Sequence, residues 1–172
     1  MKLIKKNLSN KYPSKDITQD DKKNKLTIST SNKKIVVKIG KNIIFGSNSI
    51  PLIAGPNGVE NEKLMIAVAK NLIKNKLKII RGHAYKPLTF PYRSKQYKDS
   101  KNIGMDIMDR IKRDFDLKVV TEVTEIRYID RIYKTADIFQ IGSRNMQNLE
   151  LLREVALTKK PIILKRHFGS SL

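Results

Sequence analysis

Charged and polar side chains directly follow an apolar run in the middle of the chain. Arg81 and Lys86 come after Leu77–Ile80 (LKII), in a loop that two prolines, Pro87 and Pro91, stiffen. Fixed cations at the end of a buried strand suit a small ligand that carries several negative charges. The sequence therefore predicts an anion-binding loop at residues 81–92.

The same arrangement recurs wherever an apolar run predicts a strand. The polar residues at these ends are Asn57, Arg81, Lys86, Glu122, Gln140, Arg144, Lys165 and Arg166. Because the carboxyl ends of parallel strands meet at one edge, where α/β proteins bind ligands, we expect these side chains to converge. Several cations around one carboxylate would form a strong anion site. A lysine-rich chain also places cations at strand ends by composition, but recurrence at each strand after the first favours a functional site.

The two histidines and the glycine-rich turn give weaker signals. Neither His83 nor His167 has a cysteine or an acidic pair nearby, so neither predicts a metal site. For each histidine, packing is a better explanation than a catalytic role. The glycines of Gly55–Gly58 indicate a turn, and alone they are weak evidence for a phosphate loop.

From about residue 50, predicted strands and helices alternate. The predicted strands are Ile50–Ala54, Leu77–Ile80, Lys118–Val123, Ala136–Gly142 and Pro161–Arg166. The predicted helices, from the spacing of apolar residues, are Glu60–Asn75, Ile103–Phe115, Glu125–Lys134 and Met146–Leu157. This rhythm predicts right-handed βαβ units and a parallel sheet, either open or as part of a barrel. A complete (β/α)₈ barrel takes about 250 residues.

Two segments precede the alternating region. Residues 1–32 are polar and charged without periodicity, which predicts a flexible basic arm, and residues 33–172 form the predicted domain. Two β-rich runs, Lys34–Ile39 and Ile43–Phe45, flank Gly40-Lys41-Asn42 and predict a small hairpin. Since a hairpin is too small to be stable alone, we expect it to cap the larger sheet.

Composition limits the classes of protein. The chain is 40% apolar, carries a formal charge of +20 and has no cysteine. A globular fold is expected, and disulfides and thiolate metal sites are excluded. No apolar run is long enough for a membrane span, and no signal peptide is evident, so a cytoplasmic protein is expected. The charge permits nucleic-acid binding, but the scattered lysines and few aromatics favour general lysine enrichment with a preference for anionic substrates.

Five motifs together resemble a known family. They are Leu52–Glu60 (LIAGPNGVE), Arg81–Tyr92 (RGHAYKPLTFPY), Val119–Val123 (VVTEV), Phe139–Asn148 (FQIGSRNMQN) and Leu164–Arg166 (LKR). In order and spacing they resemble the first half of 3-deoxy-arabino-heptulosonate 7-phosphate (DAHP) synthase, in the class I branch related to 3-deoxy-octulosonate 8-phosphate synthase. The resemblance spans about residues 33–170. It implies a truncated TIM (β/α)₈ barrel with about five βα strands after the hairpin.

The resemblance also implies a reaction and a set of roles. The family is a transferase that condenses phosphoenolpyruvate with erythrose 4-phosphate, releases phosphate, and begins the shikimate pathway of aromatic amino acid biosynthesis. The residues similar to those that clamp phosphoenolpyruvate are Arg81, Lys86, Thr89, Arg144 and Lys165. Lys86 and Glu122 resemble the catalytic residues at the reacting carbons. The family uses a divalent metal such as Mn²⁺.

This sequence departs from the family pattern at several positions. Asn57 occupies the place of a cysteine metal ligand, so we assign no metal ligand, although asparagine here resembles the metal-independent octulosonate synthases. Leu88 replaces an arginine that binds the sugar phosphate, Phe90 replaces a serine, and His83 replaces a glycine. The family's other metal ligands lie on strands six to eight, beyond this sequence.

These departures shape the expected activity and partners. We expect little activity from this chain alone. We also expect a non-catalytic remnant or partner subunit as the alternative, with phosphoenolpyruvate and an aldose phosphate as ligands. Five strands of an eight-stranded barrel would leave open edges, so we expect a homo-oligomer or pairing with a missing barrel half, with neither membrane nor nucleic acid as partner.

Overall fold

A computed structural model describes residues 35–86 and 100–170. The predicted arm at residues 1–32, together with Thr89, Leu88 and Phe90, lies outside these ranges. The strands are β1 Val37–Ile39, β2 Ile43–Phe45, β3 Ile53–Ala54, β4 Ile79–Arg81, β5 Lys118–Glu122, β6 Ile138–Ile141 and β7 Ile162–Leu164. The helices are α1 Glu62–Lys74, α2 Lys101–Phe115, α3 Ile129–Thr135 and α4 Leu149–Leu157, with 3₁₀ turns at Ile126–Tyr128 and Ser143–Asn145.

The larger sheet is parallel and has the order β3-β4-β5-β6-β7. Each strand therefore pairs with the next strand in sequence. An open doubly wound sheet reverses its order at a switch point, whereas a barrel continues around in one direction. The order and the helices between strands are those of part of a (β/α)₈ barrel, which decides between the two alternatives that the sequence left open.

Alternation along the strands creates two apolar faces. Ile80 of β4 packs with α1 and α2, and Phe139 of β6 packs with α3 and α4. The residues one step before them, Ile79 and Ile138, face the other way, into the barrel interior. The sheet is therefore buried on both faces.

The hairpin closes the amino end of the barrel interior. β1 and β2 pair antiparallel, with Ile39 opposite Ile43. Ile39 is 4% exposed and belongs to one buried cluster with Ile79, Val120 and Ile138. The expectation that the hairpin caps the larger sheet is confirmed by this packing.

Helix starts differ from the predicted ones where asparagine caps form. Asn61 accepts a hydrogen bond from the Leu64 N–H at 2.9 Å, so α1 begins after it rather than at Glu60. The fourth helix was predicted to begin at about Met146, which is three residues too early, because Asn148 caps α4 by accepting from the Leu151 N–H at 3.2 Å. Ser143–Asn145 forms a separate 3₁₀ turn directly after β6.

The sheet has two edges within the described part of the chain. β3 and β7 each pair on one side only. The side chains of β7 that face away from the interior, Ile162 and Leu164, are 40% and 51% exposed. None of the helices in residues 35–86 and 100–170 has the length and apolar character needed to cross a membrane.

Candidate active site

The inward-facing positions change character along the strands. On β4 to β7, the apolar residue that faces the interior is followed, two positions later, by a polar one. The successive pairs are Ile79 and Arg81, Val120 and Glu122, Ile138 and Gln140, and Ile163 and Lys165. Because side chains two apart on a strand share a face, the polar residues form a layer directly above the apolar layer.

This polar layer is the floor and wall of a cavity of about 340 Å³ at the carboxyl ends of the strands. Its lining residues are Asn57, Arg81, Lys86, Glu122, Gln140, Gly142, Ser143, Arg144, Asn145 and Lys165. The structure thus brings together seven of the eight polar residues at predicted strand ends, and Arg166 lies outside the lining. Their roles in ligand binding remain predictions.

Four cations and one carboxylate make the cavity electropositive. Arg81 and Lys86 come from the end of β4 and its loop, Arg144 from the 3₁₀ turn after β6, and Lys165 from the residue after β7. Lys165 is held in line because its N–H donates to the Ile141 carbonyl at 3.0 Å, one residue beyond the end of β7. A concave site with this charge attracts anions and binds carboxylate and phosphate groups well.

Asn57 is bound to one of these cations. Its Oδ1 accepts a hydrogen bond from Arg81 Nη2 at 2.7 Å, across the loops that follow β3 and β4. In the described ranges no three His, Cys, Asp or Glu side chains cluster in a way that could hold a metal ion. An amide oxygen already bonded to a guanidinium is a poor metal ligand, so these residues do not fit a metal centre.

Glu122 is the single acid among the described residues that line the cavity, and it is largely buried. Its side chain is 10% exposed, and its Oε2 accepts from Gln140 Nε2 at 3.3 Å. Burial raises the pKa of Glu122 above its ordinary value, while Lys165, Arg144 and Arg81, together with the Gln140 hydrogen bond, act in the opposite direction. The carboxyl group is therefore held closer to neutrality than an exposed glutamate.

The position of this carboxyl group depends on Gly142. A Cβ atom at residue 142 would lie 2.2 Å from Glu122 Oε1. Real Cβ atoms do not approach oxygen so closely, so any other residue would displace the carboxyl group. The glycine after β6 is therefore part of the site through the space it leaves.

His83 lies beneath the floor and is 1% exposed. Its Nδ1 accepts from the Glu122 main-chain N–H at 2.9 Å, and its Nε2 lies 2.9 Å from Arg81 Nε and 3.2 Å from Gln140 Nε2. Burial first, and then Arg81, Lys165 and Lys86, lower the pKa of His83 from 6.5 to about 3. The imidazole is therefore neutral and touches three residues that line the cavity.

Sequence reasoning gave His83 too little weight and did not single out Ser143 or Asn145. The available signal for His83 was its position two residues after Arg81, which predicts the same inward direction. Asn145 donates to the Thr124 carbonyl at 3.3 Å and so joins the ends of β5 and β6. Ser143 and Asn145 flank Arg144 in a 3₁₀ turn that lies between the predicted strand and the predicted helix.

The chain matches a known protein family. The model of the DAHP synthetase I family matches residues 27–171. That range includes every residue in the cavity lining and all seven strands.

Individual relatives come from two related enzymes. The phospho-2-dehydro-3-deoxyheptonate aldolase of Thermotoga maritima is 32% identical over 137 residues, which are 80% of this chain and 39% of the relative. The 2-dehydro-3-deoxyphosphooctonate aldolase of Fusobacterium nucleatum is 29% identical over 138 residues, covering 76% of this chain and 48% of the relative. The chain thus spans less than half the length of these relatives.

Solved structures agree with the sequence matches. The crystal structure of the Thermotoga maritima DAHP synthase superposes with a TM-score of 0.73 at 30% identity, covering 83% of this chain and 40% of that one. A truncated form of the same organism's 3-deoxy-D-arabino-heptulosonate 7-phosphate synthase gives a TM-score of 0.72 at 29% identity and is covered to 49%. These values extend the likeness from individual motifs to the whole described sheet.

Proposed function

The chain belongs to the DAHP synthetase I family, and we propose that its cavity binds phosphoenolpyruvate for an aldol-type condensation with a phosphosugar. Relatives named as heptonate and octonate aldolases support this reaction class. Of the two sugars, we propose erythrose 4-phosphate, because the Thermotoga heptonate aldolase covers more of this chain at higher identity than the octonate aldolase does. Soluble metabolic enzymes of this kind suit a cytoplasmic location.

The observation that carries the proposal is the charge of the cavity. Phosphoenolpyruvate has a carboxylate and a phosphate and carries up to three negative charges. Four cations, Arg81, Lys86, Arg144 and Lys165, face one cavity of about 340 Å³, which is large enough for a three-carbon phosphate. Arginines offer paired donors to planar or tetrahedral oxyanions, and lysines add compact charges.

Orientation is the main chemical contribution of such a site. In the condensation, the terminal carbon of phosphoenolpyruvate forms a bond to the aldehyde carbon, water adds at the second carbon, and inorganic phosphate leaves. The four cations hold the charged groups so that the reacting carbons project over the floor. Lys86 and Glu122 are the proposed catalytic residues, and the buried carboxyl group of Glu122 is suited to holding a proton there. Thr89 belongs to the same proposed loop and lies outside the described residues.

The proposal also has to account for the family's divalent metal and for the remaining strands of the barrel. The family's divalent metal has no fitting donor set among the described residues, so no step is routed through it. The open edges of β3 and β7 and the exposed Ile162 and Leu164 suit completion of the barrel by further strands or by a second chain. We therefore propose that full activity needs those strands, whatever polypeptide supplies them.

Calorimetric titration with phosphoenolpyruvate tests the binding proposal. Arg144→Ala should abolish measurable binding, a loss of about 100-fold or more, because it removes a charged bidentate donor. Arg153→Ala is the matched control, since Arg153 is exposed on α4 and does not line the cavity. Equal affinities of the Arg144 variant and the unmodified chain would refute the cation clamp.

Phosphate release separates the enzyme from a second candidate, a non-catalytic phosphoenolpyruvate-binding subunit. The open β3 and β7 edges favour this second candidate for the chain by itself. The assay combines the chain with phosphoenolpyruvate and erythrose 4-phosphate, with Mn²⁺ or with a chelator. Phosphate release above blank supports the enzyme, and binding without release supports the subunit. Arabinose 5-phosphate in a parallel reaction distinguishes the octonate type.

A further inference from the structure

We infer that His83 is a positioning residue of this site, which holds the Glu122 main chain by a hydrogen bond and packs against the Arg81 guanidinium from beneath the cavity floor. The role deepens the proposed function, because the held residues are the proposed ligands of phosphoenolpyruvate. His83 does not line the cavity itself, so it would act through its neighbours. The family motif has glycine at this position, so the device belongs to this chain.

The imidazole replaces a main-chain acceptor at the end of a strand. The β4–β5 pairing ends at Arg81 opposite Val120, and the Gly82 N–H still donates to the Val120 carbonyl at 3.1 Å. Farther along, the His83 carbonyl accepts from the Val59 N–H at 3.1 Å, while His83 Nδ1 accepts the Glu122 N–H at 2.9 Å. A glycine would leave this buried N–H without that acceptor, which costs free energy.

The hydrogen bond to Glu122 fixes the tautomer of the ring. A main-chain N–H can only donate, so Nδ1 must carry the lone pair and Nε2 the proton of a neutral imidazole. Nε2 faces Glu122 Oε2 at 3.8 Å and lies 2.9 Å from Arg81 Nε. A neutral ring cannot accept at both nitrogens, so it cannot fully satisfy the Arg81 Nε–H while Nδ1 is engaged.

The consequence is an arginine whose position is limited from two sides. Arg81 is anchored at one end by Asn57 Oδ1, at 2.7 Å from Nη2, and its Nε lies against the imidazole, 2.9 Å from His83 Nε2. His83 thereby limits where the Arg81 guanidinium can lie, and the neutral ring adds no charge beside Arg81, Lys86, Lys165 and Glu122.

The test combines two substitutions with a matched control. His83→Gly introduces the family residue, and His83→Asn keeps a side-chain acceptor close to the position of Nδ1. We expect His83→Gly to weaken phosphoenolpyruvate binding about tenfold or more and His83→Asn to restore part of the loss, because the buried Glu122 N–H loses its acceptor in the first variant and regains one in the second. His167→Gly is the control, since His167 stacks on the exposed Phe168 outside the cavity and should leave affinity unchanged.

Nitrogen NMR of the ligand-free chain gives a readout that needs no substrate. We expect Nε2 of His83 to carry the proton and Nδ1 to be unprotonated, with no change between pH 8 and pH 5. A proton on Nδ1, or wild-type affinity in folded His83→Gly, would overturn the positioning role. If the unmodified chain binds no phosphoenolpyruvate, the proposed function fails. The positioning role of His83 is then tested by the tautomer of its ring and by the affinity of the same variants for sulfate.

Discussion

The two ends of the barrel interior are built from the same strands but have opposite chemistry. At the amino end, Ile79, Val120 and Ile138 pack beneath the hairpin through Ile39. Two residues farther along each strand, Arg81, Glu122 and Gln140 face a cavity. The same strands carry both layers, so the chemical difference between the two ends comes from the side chains. Apolar packing stabilises the fold, whereas charged side chains around a cavity contribute little to packing and suit the anion-binding role proposed above.

A second cavity sharpens the comparison. It has a volume of about 250 Å³ and lies at the amino ends of β3 and β4, beside the hairpin. Its lining combines apolar side chains such as Ile43 and Ile50 with only two charged residues, Lys76 and Lys78. Cavity volume alone would therefore not distinguish the ends, but the convergence of four cations on one acid does.

The largest expected effect on stability comes from a substitution in the apolar layer at the amino end. Ile138→Ala should lower the free energy of unfolding by about 2–5 kcal/mol, because it leaves a cavity in a fully packed cluster. Urea titration measures the change. Ile162→Ala is the matched control, since Ile162 is 40% exposed and should cost much less. Equal losses for the two variants would mean that the interior layer is not the stabilising one.

The carboxyl-end layer should respond to acid through His83. Its folded-state pKa of about 3 lies below the ordinary 6.5, so the unfolded chain binds the proton first as pH falls. Stability from this group is present above pH 6.5 and is lost toward pH 3, at about 1.4 kcal/mol per pH unit. Urea unfolding between pH 7 and pH 4 measures the slope.

His83→Gln provides the comparison, because glutamine does not titrate. The unmodified chain should lose stability more steeply with acid than the variant does. Parallel slopes would show that the imidazole is not buried in its neutral form.

The affinity of the cavity for an anion should depend on the ionisation of Glu122, and this effect should be smaller than the effect of His83 on stability. Its raised pKa means that sulfate, which keeps its charge across this range, should bind less tightly as pH rises and the carboxyl group ionises. Glu122→Gln should remove this dependence and strengthen binding at neutral pH about fivefold, by deleting one nearby negative charge. Calorimetry at several pH values decides it, and an unchanged pH profile would contradict the assignment.

The smallest effect is expected outside both layers. Arg110 Nε lies 2.8 Å from Glu62 Oε1, with the side chains 47% and 46% exposed. Arg110→Ala should change the free energy of unfolding by less than about 1 kcal/mol, because exposed ion pairs contribute little. Thermal and urea unfolding give this baseline. A loss as large as that of Ile138→Ala would overturn the ranking of the three regions.

Sequence reasoning located the strands better than the contacts between them. Apolar runs and polar strand ends placed Arg81, Glu122 and Lys165 at one edge because strand direction follows from the alternating helices. The predicted strand Ile50–Ala54 was too long, since only Ile53 and Ala54 pair with β4.

Side-chain hydrogen bonds between distant residues could not be predicted in the same way. The bond between Arg81 and Asn57 joins residues 24 positions apart, and that between His83 and the Glu122 N–H joins residues 39 apart. Both depend on the register between neighbouring strands, which local sequence patterns do not encode. This register is known only from the three-dimensional structure.

Gly142 gives the site an unusual sensitivity to random mutation. Since even a methyl group there would meet Glu122 Oε1, every substitution at residue 142 would displace the acid. Substitution at residue 142 is therefore expected to move the carboxyl group of Glu122 without removing any of the four cations that line the cavity.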